Sequence, residues 1–147
     1  MAPLRPTLIA GARFADARGV LACCNACDLA EVRRFYTLYH PDTTTVRGWN
    51  GHRFESKRFF CIKGAFAVGL VAVDAFEAPS PALQATCFRL QAEDAQVLCV
   101  PPGYANAIKA LTPDSILLVL SDKTLEEAKD DNWKYPPERW VDWRSVT

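Results

Sequence analysis

Along most of its length the chain alternates between short segments of β-strand character and turn residues. This regular spacing is the feature that most restricts which folds the chain can adopt. The runs recur at roughly 8–12 residues, the spacing typical of an all-β sandwich or barrel. The run beginning at Ala65 is apolar at every position, which predicts a strand buried on both faces. The predicted strands are Val20–Cys24, Arg33–His40, Thr44–Trp49, Arg53–Ile62, Ala65–Asp74, Ala85–Leu90, Gln96–Val100, Tyr104–Leu111 and Ile116–Ser121.

One helix is predicted near the C-terminus, where Thr124-Leu-Glu-Glu127 has the spacing of a capping box. Asp130-Asp131-Asn132 ends it. The tail that follows is rich in aromatic residues: Trp133, Tyr135, Trp140 and Trp143. We expect this tail to pack across the barrel or against a partner chain rather than to stack on a ligand.

Composition excludes several classes of function. Seventeen Lys and Arg balance seventeen Asp and Glu, so we expect no general electrostatic binding to nucleic acid or to an anionic membrane. No stretch approaches the ~20 apolar residues of a membrane span. The apolar run Leu8–Ala10 is too short for the core of a signal peptide, so a cytoplasmic location is expected. A chain of 147 residues suits one domain, 1–147.

The cysteines give a weaker signal. Cys24 and Cys27 have the C-x-x-C spacing of a zinc or redox site, but no second such pair follows. A structural metal or redox role for this pair is therefore the less favoured interpretation. Cys61, Cys87 and Cys99 each lie inside an apolar run, which predicts that they are small buried hydrophobic residues.

Two segments stand out from this background. The first begins with Arg47-Gly48-Trp49-Asn50-Gly51-His52 and closes at Gly64, and the second is Val100–Asn106. Asn50 and His52 are two residues apart, so their side chains leave the same face of a strand. In a closed barrel that face is the inside, where ligand pockets form.

Together the two segments resemble the signature segments of the cupin superfamily, G-x5-H-x-H-x3,4-E-x6-G and P-x-G-x2-H. The resemblance implies an all-β cupin, a double-stranded β-helix or jelly-roll barrel, with a short C-terminal helix and aromatic tail. Metal-binding cupins supply three histidines and a glutamate here. In this chain Asn50 and Asn106 replace two of the histidines, and Glu55 is too close to His52. One imidazole and two amides suit a transition metal poorly, so we predict no metal and no cofactor.

A narrower resemblance covers residues 14 to 143. Arg47–His52 is similar to the R-G-x-H-x-H segment of the dTDP-sugar 3,4-ketoisomerases, of the WxcM-like or FdtA type. Phe14–Leu21 resembles their opening D-x-R-G-x-L, and Arg34–Tyr39 resembles their aromatic second strand. Pro101–Ile108 is closer to the P-x-G-F-A-H-G-F of the dTDP-4-dehydrorhamnose 3,5-epimerases. The chain is thus similar to RmlC-like cupins.

This resemblance implies an isomerase or epimerase of a nucleotide-linked 4-keto-6-deoxyhexose, with dTDP as the expected nucleotide, in deoxysugar or surface-polysaccharide synthesis. Such a reaction moves a proton next to a ketone, for which a positioned base and acid suffice. His52 is the expected base, since an imidazole titrates near neutrality, and Tyr39 is the expected donor to the developing oxyanion. Substrate-binding roles are expected for Arg47, Asn50, Lys57, Tyr104 and Asn106.

Several alternatives stay open. An amide cannot act as a base, so Asn50 leaves room for a catalytically degenerate cupin that only binds sugar nucleotides. The sequence does not choose between 3,4-ketoisomerisation and 3- or 5-epimerisation, nor between Tyr36 and Tyr39 as the pocket tyrosine. His40 is expected at a surface turn. Cupins of this kind usually pair, so a homodimer that covers exposed strand edges is expected.

Overall fold

The computed structural model describes residues 4–147 and is built almost entirely from strands. One helix, α1 (Leu125–Ala128), follows the predicted capping residue, and the Thr124 hydroxyl accepts a hydrogen bond from the amide of Glu127 at 3.2 Å. No helix among the described residues is both long and apolar enough to cross a membrane. The strands are β1 (Thr7–Ile9), β2 (Ala12–Asp16), β3 (Gly19–Cys23), β4 (Arg34–His40), β5 (Val46–His52), β6 (Lys57–Lys63), β7 (Ala65–Ala72), β8 (Thr86–Gln91), β9 (Val97–Val100), β10 (Tyr104–Ala110), β11 (Ser115–Ser121) and β12 (Trp133–Lys134).

Two five-stranded antiparallel sheets form the cupin-type double sheet that the sequence predicts. The first sheet has the order β1-β9-β6-β11-β4, and the second has the order β12-β5-β10-β7-β8. Strands β2 and β3 form a separate hairpin whose ladder runs from the Ala12–Cys23 pair to the Asp16–Gly19 pair. In both sheets, strands from the first half of the chain lie next to strands from the second half. Residues that are distant in sequence are therefore neighbours in the space between the sheets.

The main core lies between the two sheets. Strand β7 shows the alternation most clearly, because Phe66, Val68 and Leu70 point into this core while Ala67 and Val71 belong to a second cluster. Both sets are at most 3% exposed, which confirms the prediction that the strand is buried on both faces.

The aromatic tail, residues 133–147, covers the outer face of the second sheet. Trp49 of β5 packs against Trp140 and Trp143, with ring centroids 5.2 and 5.8 Å apart. The ammonium group of the buried Lys109 donates hydrogen bonds to the backbone oxygens of Trp143, at 2.8 Å, and Val146, at 2.6 Å. The expectation that the tail packs on the barrel is therefore confirmed.

Some predictions were wrong in detail. His40 is not a surface residue, because it ends β4 on the inward face and is 3% exposed against Phe66. Among the three cysteines expected in the core only Cys61 is buried, since Cys87 lies on the edge strand β8 and Cys99 is half-buried. Strand β6 begins at Lys57 rather than at Arg53. Strands β1, β2 and β12 were not predicted.

Candidate functional site

A β-bulge in β5 turns the two motif residues inward. Asn50 pairs with Asn106 of β10, but the next β10 residue pairs with Gly48, so Trp49 is the extra residue. Trp49 points outward into the tail, and Asn50 and His52 then face the space between the sheets. Gly48 has φ of +131°, and a Cβ there would lie 2.6 Å from the Asn106 carbonyl oxygen. The backbone of the bulge therefore requires the glycine of the motif.

The His52 imidazole is buried and held through one nitrogen only. Nδ1 lies 2.9 Å from the backbone oxygen of Asp131 and 3.2 Å from Oε2 of Glu55. Because a carbonyl oxygen can only accept, Nδ1 carries the proton and Nε2 carries the lone pair. Nε2 is buried, and within the described part of the chain it has no hydrogen-bond partner. The ring is therefore held by Nδ1, and Nε2 is left as the nitrogen that could accept a proton from a ligand.

Two buried carboxylates fix the surroundings of His52. Asp131 accepts hydrogen bonds from three consecutive backbone amides, those of residues 53, 54 and 55, at 2.6, 2.8 and 3.0 Å. These bonds hold residues 53–56 as a loop, which is why β6 starts late. Glu55 accepts from the Ser121 hydroxyl at 2.6 Å and from the Arg34 guanidinium at 3.1 Å. The carboxylate next to His52 is therefore fixed from three sides.

Electrostatics keep the imidazole neutral. Burial lowers the pKa of His52 below its ordinary value, and the positive charge of Lys57 acts in the same direction. The negative charge of Glu55 and the bond to Asp131 oppose this shift without cancelling it. A neutral imidazole with a free Nε2 is the form required of a general base.

A cavity of about 330 Å³ opens at His52, and we call it the His52 cavity. Five cationic side chains and a single carboxylate lie among its lining residues, an imbalance that suits an anionic ligand such as a diphosphate. The lining residues come from β4, β5, the loop before β6, β6, α1 and the segment after α1: Arg34, Tyr36, Arg47, Asn50, His52, Glu55, Lys57, Leu125, Ala128, Lys129, Asn132 and Lys134.

Tyr36 and Lys57 form a paired donor in this cavity. The Lys57 ammonium donates to the Tyr36 hydroxyl at 3.1 Å and lies 5.7 Å from the ring centroid. The Arg34 guanidinium lies 5.3 Å from the same centroid. A phenol that accepts from an ammonium is polarised toward donating its own proton to an oxyanion.

The structure brings four of the seven residues expected at the site together in one cavity. Arg47, Asn50, His52 and Lys57 all line the His52 cavity. Tyr39 does not, because alternation along β4 turns it outward, where it is 59% exposed and donates a hydrogen bond to Asp114. Tyr36, on the inward face of the same strand, is the tyrosine in the cavity.

Tyr104 and Asn106 lie on β10, next to the motif strand. Tyr104 pairs with His52 and Asn106 pairs with Asn50, so both face the space between the sheets. Neither lines the His52 cavity; Tyr104 lines a separate concavity of about 260 Å³ on the β7–β8 side. Asn106 is 4% exposed.

Tyr36 was one of the two tyrosines left open by the sequence, and other residues of the site were missed. Arg34 alternates with Tyr36 within a predicted strand, which is a usable signal. Asp131, Lys129 and Lys134 come from the segment after α1, and nothing in their local sequence indicates that it folds against β5. Within residues 4–147, no group of three or more His, Cys, Asp or Glu side chains is arranged to hold a metal ion.

Comparison with known proteins gives a family and a fold. The family model described as "FdtA: WxcM-like, C-terminal" matches residues 5–135. No curated protein matches the chain. Among solved structures, the chain is similar to a histidine-to-asparagine mutant of the 3,4-ketoisomerase QdtA from Thermoanaerobacterium thermosaccharolyticum, in complex with TDP-4-keto-6-deoxyglucose. The TM-score is 0.68 at 20% identity, over 89% of this chain and 88% of that chain.

Two epimerases are also similar. The dTDP-4-dehydrorhamnose 3,5-epimerase of Bacillus anthracis, with TDP and PPi bound, gives a TM-score of 0.74 at 18% identity, over 97% of this chain and 86% of that chain. A double mutant of ChmJ, a 3'-monoepimerase from Streptomyces bikiniensis in complex with dTDP, gives 0.76 at 18% identity, over 97% and 78%. These similarities confirm the RmlC-like cupin fold.

Proposed function

The chain belongs to the WxcM-like, C-terminal family, and from that premise we propose that it is a nucleotide-sugar isomerase or epimerase. Its substrate is a 4-keto-6-deoxyhexose linked to a nucleoside diphosphate, with dTDP as the expected carrier. The reaction moves a proton at a carbon next to the ketone. Its place is in cytoplasmic deoxysugar or surface-polysaccharide synthesis.

One observation carries this proposal: a buried imidazole whose Nε2 has no partner among the described residues belongs to the lining of a cavity that also has five cationic side chains. The cations suit a diphosphate, and Arg47, Lys129 and Lys134 are the residues proposed to bind it. Asn50 is proposed to hydrogen-bond a sugar oxygen, whereas no binding role is proposed for Tyr104 and Asn106, which do not line the cavity. The neutral imidazole is then available for the sugar carbon.

The proposed mechanism uses only proton transfers. Nε2 of His52 removes the proton from C3, and the electrons move to the C4 carbonyl oxygen, giving an enediol(ate). The Tyr36 hydroxyl, polarised by Lys57, donates to that oxygen. The imidazolium returns the proton to C4 while the O3 proton passes to the Tyr36 phenolate, so the ketone moves from C4 to C3 and both catalytic groups regain their starting forms. Atoms and electrons balance without a redox partner.

The single free base favours isomerisation over epimerisation. Epimerisation returns the proton to the same carbon from the opposite face, which requires an acid opposite His52. The other acid–base candidates in the His52 cavity are Glu55, which is already bonded to Ser121 and Arg34, and Tyr36, which the proposed mechanism uses at the C4 oxygen. The proposal needs no metal, since two of the four positions used by metal-binding cupins are amides.

Product analysis tests this function. We expect the protein to convert dTDP-4-keto-6-deoxyglucose into its 3-keto isomer, identified by proton NMR. If the configuration at C3 or C5 is inverted while the ketone stays at C4, the protein is an epimerase and the proposed isomerisation is wrong. Tight binding of dTDP with no turnover would support the second candidate, a degenerate sugar-nucleotide-binding cupin, which the amides Asn50 and Asn106 favour. Asn50→His separates these outcomes, because a sharp gain in activity marks the native site as weakened.

A homodimer is part of the proposal, and an uncovered apolar surface supports it. The tail covers the outer face of the second sheet, but the outer face of the first sheet carries Phe35, Tyr39 and Ile62, which are 71%, 59% and 46% exposed. The β2–β3 hairpin also exposes apolar side chains, and a lone hairpin is only marginally stable in water. A second copy would bury both surfaces.

A further inference from the structure

His40, one of the two histidines of the chain, is a buried titratable group that the proposed reaction does not use. It is the last residue of β4 and is 3% exposed. Its ring packs edge-on against Phe66 of the main core, with the ring centroids 5.4 Å apart. Neither ring nitrogen has a hydrogen-bond partner among residues 4–147. A neutral imidazole has one donor and one acceptor, so both polar groups of this ring are buried without compensation.

Strand register places one polar side chain opposite His40, and that side chain is bonded elsewhere. His40 pairs with Ser115 of β11. The Ser115 hydroxyl donates to the backbone oxygen of Thr112 at 2.7 Å and accepts from the amide of Ala65 at 3.3 Å. The imidazole is therefore an uncompensated polar group, and a positive charge at the same place would be more costly still.

Charges near His40 favour the neutral ring on balance. Burial lowers the pKa of His40 below its ordinary value, and the positive charge of Arg47 on β5 acts in the same direction. The carboxylate of Asp42, in the turn after β4, opposes this shift without cancelling it. Asp42 is exposed and accepts hydrogen bonds from two backbone amides of its own turn.

The other elements around the ring do not supply a balancing charge. Strands β7 and β11 carry no ionisable side chain. Asp114, just before β11, accepts from Tyr39 on the outer face, and Lys109 of β10 is bonded to the tail. Cys61 of β6 belongs to the same core, but burial raises the pKa of its thiol to about 12, so it is uncharged.

The place of His40 in the first sheet gives its end of β4 a way to open. β4 is an edge strand, and its neighbour in the sheet is β11. The pair of His40 with Ser115 is the last of that ladder, and the pair of Tyr39 with Ile116 precedes it. If these terminal pairs separate, the ring reaches water while the rest of the sheet stays paired.

We propose that His40 is an acid-sensitive switch in the fold. At neutral pH the uncharged ring stays in the core against Phe66. In mild acid a proton from the solvent binds the ring, the buried position becomes unfavourable, and the end of β4 separates from β11 so that water solvates the imidazolium. The switch concerns the fold rather than the reaction proposed at His52, so either proposal can fail alone.

Urea unfolding of the full chain at a series of pH values tests the switch. Because the pKa of His40 is lower in the folded than in the unfolded chain, the free energy of unfolding should fall as pH falls below the ordinary value near 6.5. His40→Leu should remove about one proton from the uptake on unfolding at about pH 5.5. It should be at least as stable as the wild type at neutral pH, since an unpaired polar ring is lost. His40→Gln, a neutral amide, should lose the same proton.

His52→Gln is the matched control, because burial lowers the pKa of His52 as well. It should lose only its own proton and keep the contribution of His40. Hydrogen exchange locates the opening: at about pH 5.5 the amides of residues 38–40 and 115–117 should lose protection in the wild type relative to His40→Leu, while those of β7 and β10 stay protected.

Three results would overturn the proposal. The first is a proton uptake on unfolding that is the same in the wild type, His40→Leu and His40→Gln. The second is an NMR titration of the folded wild type in which the His40 ring titrates at or above its ordinary value near 6.5. The third is a loss of protection in mild acid that spreads evenly over both sheets, because the end of β4 would then not open by itself.

Discussion

At the scale of single residues, β4 carries two tyrosines on opposite faces. Tyr36 is proposed to act in the reaction, whereas Tyr39 lies on the surface. Tyr36→Phe removes the hydroxyl that accepts from Lys57, and we expect a loss in kcat of about 10²-fold, the typical effect of deleting one oxyanion donor. Tyr39→Phe removes a hydroxyl bonded to Asp114 on the surface and should leave kcat within about twofold. Steady-state kinetics on the two variants check this. Equal losses of kcat in the two variants would mean that Tyr36 is not the donor to the oxyanion.

The titration of His52 predicts a pH profile. The active form is the neutral imidazole, so kcat/KM should fall as pH falls through the pKa of His52, which burial holds below the ordinary value near 6.5. Glu55→Gln removes a negative charge that raises this pKa, so the acid limb should move to lower pH. Lys57→Met removes a positive charge that lowers it, so the limb should move up. A limb unmoved by both changes would contradict the assignment of His52 as base.

At the scale of elements, the bulge in β5 turns Asn50 and His52 toward the site. Substitutions of two glycines, one inside the bulge and one outside it, test this role. Gly48 and Gly19 have φ of +131° and +126°, so Ala strains the backbone at both. A Cβ at Gly48 also meets the Asn106 backbone at 2.6 Å, whereas at Gly19 nothing lies within 4 Å. Gly48→Ala should therefore cost more than about 1 kcal/mol of unfolding free energy and most of the activity. Gly19→Ala should keep the activity, as urea unfolding and kinetics will show.

The elements also show what the sequence can predict. Periodicity and turn chemistry predicted most strands and the capped helix, because alternation and caps are local signals. The loop at residues 53–56 was wrongly predicted as strand, because the amides of residues 53–55 donate to Asp131, which lies 76 to 78 residues away in sequence. The same distant segment supplies Lys129 and Lys134 to the site. Contacts of this kind depend on the tertiary fold and leave no local pattern.

At the scale of the whole molecule, the uncovered face of the first sheet predicts a dimer. Phe35→Glu introduces a charge at an aromatic position 71% exposed in one chain, and it should convert the dimer to monomer in sedimentation velocity. Phe54→Glu, at a position 63% exposed on the loop after β5, is the matched control and should stay dimeric. A wild-type chain that sediments as a monomer at micromolar concentration would contradict the assembly.

The central claim, that Nε2 of His52 removes a proton next to the sugar ketone, is tested most directly by solvent exchange. In deuterated water with dTDP-4-keto-6-deoxyglucose, the wild type should remove the C3 proton and form the 3-keto product, whose C4 carries the transferred proton or a deuteron that the imidazolium took from the solvent. His52→Ala should lose this reaction entirely, while Tyr39→Phe should keep it. Loss of the C3 proton at the wild-type rate in His52→Ala would contradict the claim.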